Sequence, residues 1–366
     1  MRLAAALDRR ALDRRALAGA AEPVVSRFEF WPGWAFYFPI VAQWVWLGLR
    51  YGDFSLPTAA NPRIELGGLC GESKGAILDQ VQGPARALIA PYVCVPHGGA
   101  EAVERAMRGA GLAYPVIVKP DVGCNGTGVR LVRDRAALAA YLAAFPPDAR
   151  LMLQRYVTEE GEAGLFYIRR PGEAAGRITS VTLKYPPVVV GDGTSTLETL
   201  VRADPRAGRI PEMYLPRLGA QRARVPAVGE RVGLVMVGNH CKGAIFRDGR
   251  EEVTQALTRA VESIARALPD FHFGRLDVRF ASLAALRRGE GFTIIEINGV
   301  GSEATHVWDA RARLRDAWAD QLYHYRMAFE IGRAQRARGH RPSGVPAMWR
   351  YWRRQKHLMA RYPAHD

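Results

Sequence analysis

Residues 30–49 read FWPGWAFYFPIVAQWVWLGL, twenty residues with a single polar side chain, Gln43. Such a stretch has to be hidden from water, and it reaches the length that a bilayer-crossing helix needs. Pro32, Gly33 and Pro39 would interrupt one continuous span, and Trp31, Trp34, Trp44 and Trp46 belong to the type that settles at the headgroup level. Arg2, Arg9, Arg10, Arg14, Arg15 and Arg27 lie before the stretch or at its edge. Carrying six arginines across a membrane runs against the preference for positive charge inside. The expectation is a monotopic or re-entrant segment in the cytoplasmic leaflet, with an aromatic hairpin buried in the protein's own core as the alternative.

Both ends of the chain are basic. A five-residue unit, Ala6-Leu7-Asp8-Arg9-Arg10, is repeated directly as Ala11-Leu12-Asp13-Arg14-Arg15. Its period matches neither a helical face nor a strand, so residues 1–27 are expected to form a disordered or weakly helical leader. No apolar run follows its arginines directly, which fits a cleaved signal peptide poorly. In residues 333–366, Met348, Tyr351, Trp352, Leu358, Met359 and Tyr362 share one helical face, and Arg350, Arg353, Arg354, Lys356 and Arg361 occupy the rest. This basic amphipathic tail carries +8 of the net +15 and suits an anionic leaflet. RNA binding is the competing reading, but no base-reading or stacking motif accompanies the charge, and nucleic acid is not expected as a partner. Of the 51 basic side chains 46 are arginine, so each of the five lysines is a candidate for a site that needs a compact ammonium. Cys70, Cys94, Cys124 and Cys241 form no C-x-x-C pair, which indicates neither a disulfide framework nor a zinc site and points to a reducing cytoplasm.

Between these ends, β-branched runs predict strands at 114–119, 129–133, 151–154, 165–169, 178–184, 232–237, 276–280 and 292–297. Helical patterns lie at 135–144, 251–268 and 310–335, the second with Val253, Leu257, Val261, Ile264 and Leu268 on one stripe. The expected body is α+β with mostly antiparallel pairing.

Three stretches carry chemistry. In Pro115-Val-Ile-Val-Lys119-Pro120-Asp121-Val-Gly123-Cys124-Asn125-Gly126-Thr127-Gly128, a strand ends in lysine and a glycine-rich loop follows. Backbone N–H groups in such a loop can wrap phosphate oxygens while the lysine adds a point charge, although the spacing is neither a Walker A nor a Rossmann fingerprint and also suits a plain hairpin turn. In Gly274-Arg275-Leu276-Asp277-Val278-Arg279 and Glu296-Ile297-Asn298-Gly299-Val300-Gly301-Ser302, period-two alternation puts Arg275 and Asp277 on one face and Glu296 with Asn298 on another strand's face. Two carboxylates and an amide oxygen suit a hard cation such as Mg²⁺; an arginine–carboxylate pair on a sheet surface would serve equally. In residues 178–200 a strand leads to Lys184, an Asp192-Gly193 turn and a short helix begun by Ser195 or Thr196, with Glu198 spaced for a capping box.

Taken in order, these motifs resemble the ATP-grasp superfamily, most closely its D-alanine–D-alanine ligase and cyanophycin synthetase branches, over about residues 70–310. The resemblance implies an α+β ATP-grasp fold in which two lobes sandwich ATP. It implies Lys119 and Lys184 on the phosphates beneath the 123–128 loop (Gly123, Asn125, Gly126, Thr127, Gly128), with Lys74 opening the nucleotide region. Gln154 would face adenine, Tyr156 and Val157 would form the hinge, and Glu162 would contact the ribose. Asp277, Glu296 and Asn298 match magnesium ligands, two ions being expected and Mn²⁺ able to substitute, and Arg275 matches the arginine that steadies an acyl phosphate.

The implied activity is an ATP-dependent carboxylate–amine ligase working at the inner face of the membrane. A membrane-attached nucleotide-binding protein without turnover is the alternative. His240 and His306 are positional candidates for the base that deprotonates the amine. The upstream region is too short for the pre-domain usual in these ligases, so D-alanine specificity does not transfer, and Asn61 and Arg63 in loop 56–68 become candidates for the acceptor site. The corresponding division is 1–27 leader, 28–70 aromatic membrane-associated segment, 71–180 first lobe, 181–330 second lobe and 331–366 tail.

Overall fold

The computed structural model describes residues 25–363 apart from 236, 237 and 239–242; the repeated unit at 6–15, His240 and Lys242 lie outside the described residues. The helices are α1 (Gly33–Tyr51), α2 (Lys74–Asp79), α3 (Ala100–Gly109), α4 (Arg135–Ala144), α5 (Leu197–Ala203), α6 (Pro211–Leu218), α7 (Gln255–Ala267), α8 (Leu283–Arg287), α9 (Leu314–Ala337) and α10 (Val345–Met359). The strands are β1 (Tyr92–Pro96), β2 (Val116–Pro120), β3 (Arg130–Val132), β4 (Arg150–Arg155), β5 (Gly161–Ile168), β6 (Arg177–Tyr185), β7 (Val188–Val190), β8 (Arg231–Gly233), β9 (Ile245–Asp248), β10 (Phe273–Phe280) and β11 (Phe292–Asn298).

Two antiparallel sheets result, β1-β4-β2-β3 and β11-β10-β5-β6-β9, with β7-β8 as a separate pair. The chain passes from the first sheet to the second between Arg155 and Gly161, so β5 and the whole of β6 belong to the second sheet, whereas the expected division at 180 leaves β5 in the first lobe and cuts through β6. Central β5 is buried along its whole length. Helix α4 starts where Asp134 accepts from the Ala137 N–H at 2.8 Å, and α7 where Thr254 accepts from that of Leu257 at 3.0 Å. The foreseen stripe of α7, Leu257, Val261 and Ile264, packs into the core beneath the second sheet. The short helix α5 is capped by Thr196, and Glu198 pairs with Arg202 one turn on rather than with Ser195. Strands β1 and β9 escaped the sequence reading because prolines bound the first and charges fill half of the second.

The aromatic segment is a single helix, and Pro39 does not interrupt it. Proline removes one intrahelical bond, but tertiary packing holds the helix. Phe36, Ile40 and Leu47 are buried, Trp318 donates to the Phe36 carbonyl at 3.0 Å, and Trp44 lies 5.0 Å from Phe329, so that α1 is seated along α9. The opposite stripe, Trp34, Phe38, Val41, Val45 and Leu49, faces outward. Among the described residues no helix is long and apolar enough to cross a membrane. The tail also packs on the body. Leu358 and Tyr362 of the α10 region join the core of the first sheet, while Trp349 and Trp352 stay exposed, stacked by Arg353 and Lys356.

Two buried histidines set an acid limit on the fold. His324 donates from Nδ1 to the Asp320 carbonyl at 2.6 Å and accepts at Nε2 from Thr179 at 2.9 Å, and His272 donates to the Arg169 carbonyl at 3.0 Å. Burial pushes both down to about 4. In the unfolded chain they take up protons near pH 6.5, so stability is full above that value and falls as pH drops towards 4, by on the order of 3 kcal/mol per histidine. Urea midpoints measured between pH 7 and 4 should show the decline, and His324→Gln should flatten it. An equal slope in the variant would contradict this assignment.

Candidate active site

A cavity of about 660 Å³ lies between the two sheets. Its floor comes from the second sheet, where antiparallel register sets Asp277 directly opposite Glu296 and Arg275 opposite Asn298. Opposed residues share a face, so the four side chains gather on one side. A bulge at Ile295 follows, between the Asp277–Glu296 and Val278–Ile294 pairs. Bulges re-aim backbone and side chains, and here the Ile295 carbonyl accepts from Lys119 of β2 at 3.1 Å. The same ammonium reaches Gln154 Oε1 at 2.9 Å, so Lys119 ties the first sheet to the second.

Charges alternate across the floor. Arg275 grips Asp277 with two hydrogen bonds of 2.9 and 3.1 Å, Lys184 bridges Asp277 at 3.0 Å and Glu162 at 3.1 Å, and Arg279 meets Glu162 at 3.0 Å. Burial alone would raise the Asp277 carboxyl, but Arg275 and Lys184 hold it down at about 2. Burial also works against the Lys184 ammonium, and Asp277 and Glu162 more than offset it, leaving its pKa above the ordinary lysine value. At Lys119 burial dominates over the attraction of Glu296, so its pKa is lowered. This crowding needs Gly164, because a Cβ there would lie 2.9 Å from Arg275 and 3.1 Å from Asp277.

The roof is the glycine-rich loop. Asn125, Gly126 and Gly128 have φ of +56°, +68° and +75°, a conformation that glycine adopts freely. Lys74, at the start of α2, donates to the Gly123 carbonyl and lies 3.6 Å from Glu296. Its helix is fixed by Asp121, which accepts from Ser73 at 2.8 Å and from the Gly75 N–H at 3.0 Å. From outside, the tail holds the loop: Tyr362 donates to the Val122 carbonyl at 2.7 Å and Gln355 lies 3.1 Å from Cys124.

Of the residues singled out in the sequence, Lys74, Lys119, Gly123, Asn125, Gly126, Thr127, Gln154, Tyr156, Val157, Glu162, Lys184, Arg275, Asp277, Glu296 and Asn298 all line this cavity; Gly128 does not. Gln154 is engaged by Lys119, and Glu162, expected at a ribose, is engaged by Lys184 and Arg279. His306 lies elsewhere: it is buried, with Nδ1 2.7 Å from Ser180 and Nε2 2.8 Å from Asp320. Asn61 and Arg63 do not line the cavity either. Asn61 is spent on the Gly67 and Phe273 carbonyls and the His272 and Phe273 N–H groups, and Arg63 pairs with Asp270 at the surface. The sequence reading missed Tyr37, Glu303 and Trp308, which line the cavity from segments far apart in the chain.

Among the described residues no group of three or more His, Cys, Asp and Glu side chains is arranged to hold a metal. The expected set uses an amide in place of a third carboxylate. Glu296 is half-buried with one lysine 3.6 Å away, and Asn298 spends its Nδ2 on Asp277 at 3.2 Å. That leaves carboxylate oxygens and an amide oxygen at the cavity, a donor set that fits a hard divalent cation.

No family model matches the chain. It is 24% identical over 239 residues to cyanophycin synthetase from Synechocystis sp., matching 60% of this chain and 26% of that protein. Over 244 residues it is 28% identical to cyanophycin synthetase from Trichormus variabilis, with 61% and 26% covered. The chain thus spans about a quarter of the length of these relatives. Among solved structures, D-alanine–D-alanine ligase from Bacillus anthracis aligns with a TM-score of 0.41 and 14% identity over 74% of this chain and 70% of that one.

Proposed function

We propose, with these relatives pointing to the ATP-grasp superfamily of carboxylate–amine ligases, that the chain is an ATP-dependent ligase joining a carboxylate to an amine through an acyl phosphate. The observation that carries this reading is the meeting in one cavity of three lysines, a glycine-rich loop and the Asp277, Glu296 and Asn298 oxygens. ATP would lie between the sheets, its adenine towards Gln154, Tyr156 and Val157. Asp277, Glu296 and Asn298 would hold Mg²⁺, two ions being expected, which when bound neutralises charge on the phosphate oxygens.

The remaining work falls to the chain itself. Lys119, Lys184 and Lys74 offer ammonium groups to the phosphates, and the 123–128 loop offers backbone N–H groups. Arg275, already positioned by Asp277, would steady the acyl oxygen as charge develops on it, a contribution of about 3 to 4 kcal/mol for one well-placed donor. Phosphate release from ATP, screened over amino acids, dipeptides and amino-lipids with product mass recorded, tests the reading. It should require both an acid and an amine and yield their condensation product. Release independent of any acid would overturn it.

The proposal includes work at the inner face of a membrane. Two observations support this: the outward stripe Trp34, Phe38, Val41, Val45 and Leu49 follows 4, 3, 4 and 4 residue steps on α1, and exposed Trp349 and Trp352 sit among the tail's arginines. Vesicles containing phosphatidylserine should pull down the full chain. The double variant Trp34→Asp, Phe38→Asp should bind at least about tenfold more weakly, since fully burying one such side chain is worth about 1.5 to 3 kcal/mol. Equal sedimentation of the two proteins would remove the membrane assignment.

A further inference from the structure

The cavity lining also runs past Arg275 to Glu303, Trp308, Phe36 and Tyr37. There Arg275 Nη1 donates to the Glu303 backbone carbonyl at 3.1 Å, and the Glu303 carboxylate accepts from the Tyr37 hydroxyl at 2.6 Å. Trp308 stands beside the same carboxylate and its ring lies 4.5 Å from that of Phe36, while Trp31 forms the rim. Of the cavity's other carboxylates, Asp277, Glu162, Glu296 and Glu29 each have a lysine or arginine within salt-bridge distance, while Glu72 feels Lys74 only from beyond that distance. Glu303 has none among the described residues, and it is half-buried.

A carboxylate removed from water needs a cation, and aromatic faces around it add attraction for an ammonium while shedding water from an apolar body. We infer that Glu303 and Tyr37 form the seat of the amine substrate, which binds as an ammonium and carries an apolar or aromatic body against Trp308, Phe36 and Trp31. Helix α1 supplies Phe36 and Tyr37 to the seat, and the segment after β11 supplies Glu303 and Trp308. Burial raises the Glu303 pKa and outweighs the Tyr37 hydrogen bond and the attraction of Arg275, which is spent on Asp277; a bound ammonium would oppose that rise. Arg275, paired to Asp277 through both oxygens and bonded to the Glu303 carbonyl, stands between this seat and Asp277, so an amine held here, after passing its extra proton to Glu303, would face the carbon that Arg275 would steady.

The inference rests on the ligase reading for the identity of the cavity, and calorimetry on the full chain separates the two. Wild-type protein is titrated with Mg-ADP, with phenethylamine, and with 2-phenylethanol, which has the same shape without the charge. Phenethylamine should bind saturably and at least tenfold more tightly than the alcohol; Glu303→Gln should erase that preference and Tyr37→Phe should reduce it, both with Mg-ADP binding unchanged. Equal affinity for amine and alcohol, no saturable amine binding, or an undiminished preference in Glu303→Gln would overturn the seat. Amine preference without Mg-ADP binding would leave the seat standing and remove the ligase reading instead.

Discussion

Glu296→Ala is expected to lower ATP-driven turnover at least about a thousandfold while leaving the melting temperature within a few degrees of wild type. Loss of a cation that stabilises the transferring phosphoryl group is worth several kcal/mol, and each 1.36 kcal/mol is about tenfold in rate. The fold should hardly notice, because the ion partner of Glu296 is Lys74, 3.6 Å away, which keeps its hydrogen bond to the Gly123 carbonyl when Glu296 is removed. Asp277→Ala should abolish turnover equally but also weaken the protein by roughly 3 to 5 kcal/mol, since it strands Arg275 and Lys184 at a buried site. Phosphate release and thermal melting on the two variants separate chemistry from stability. Retained turnover in either would contradict the role given to these oxygens.

Gly299→Ala is expected to cost about 3 kcal/mol of stability, on the order of 6 to 10 °C in Tm, and to remove activity as well. The loop after β11 runs against residues 67–69 backbone to backbone, with the Val300 N–H donating to the Gly67 carbonyl at 3.0 Å and that of Gly301 to Gly68 at 2.7 Å. A Cβ on Gly299 would lie 2.3 Å from the Gly67 carbonyl oxygen and 2.8 Å from the Gly68 Cα, and backbone cannot step aside as a flexible side chain can. Asn298 and Glu303 bracket this seam, so its displacement moves both. Gly98→Ala, where nothing lies within 4 Å of the added methyl, is the matched control and should melt with wild type. A normal Tm for Gly299→Ala would show that the seam is loose.

The part of the site that was legible in the sequence is the part written in short-range periodicity. Arg275 with Asp277 and Glu296 with Asn298 stand two apart on strands, and Lys119 closes a β-branched run before a glycine-rich loop. Such patterns dictate which way side chains point before any partner is known. What stayed hidden depends on distant residues meeting. Tyr37 and Glu303 are 266 positions apart, Gly164 matters only because Arg275 and Asp277 lie across it, and Asn61 reads as a candidate ligand until its four backbone partners are seen.

Amphipathicity had the same limit at both ends of the chain. It revealed that one face of the tail is covered, and Leu358 and Tyr362 prove to be covered by the first sheet. In α1 the local signals at Pro32, Gly33 and Pro39 argued for a break, and packing on α9 overrode them. The face that remains uncovered is the stripe for which a membrane contact is proposed above.

The most direct test of the whole account is a crystal structure of the chain with Mn²⁺ and a non-hydrolysable ATP analogue, read by the metal's anomalous scattering. The account predicts a peak within coordination distance of Glu296 and Asn298 oxygens, with the analogue's phosphates between that peak and the Lys119 and Lys184 ammonium groups. Nucleotide bound outside the cavity between the sheets, or a metal peak away from these side chains, would contradict it.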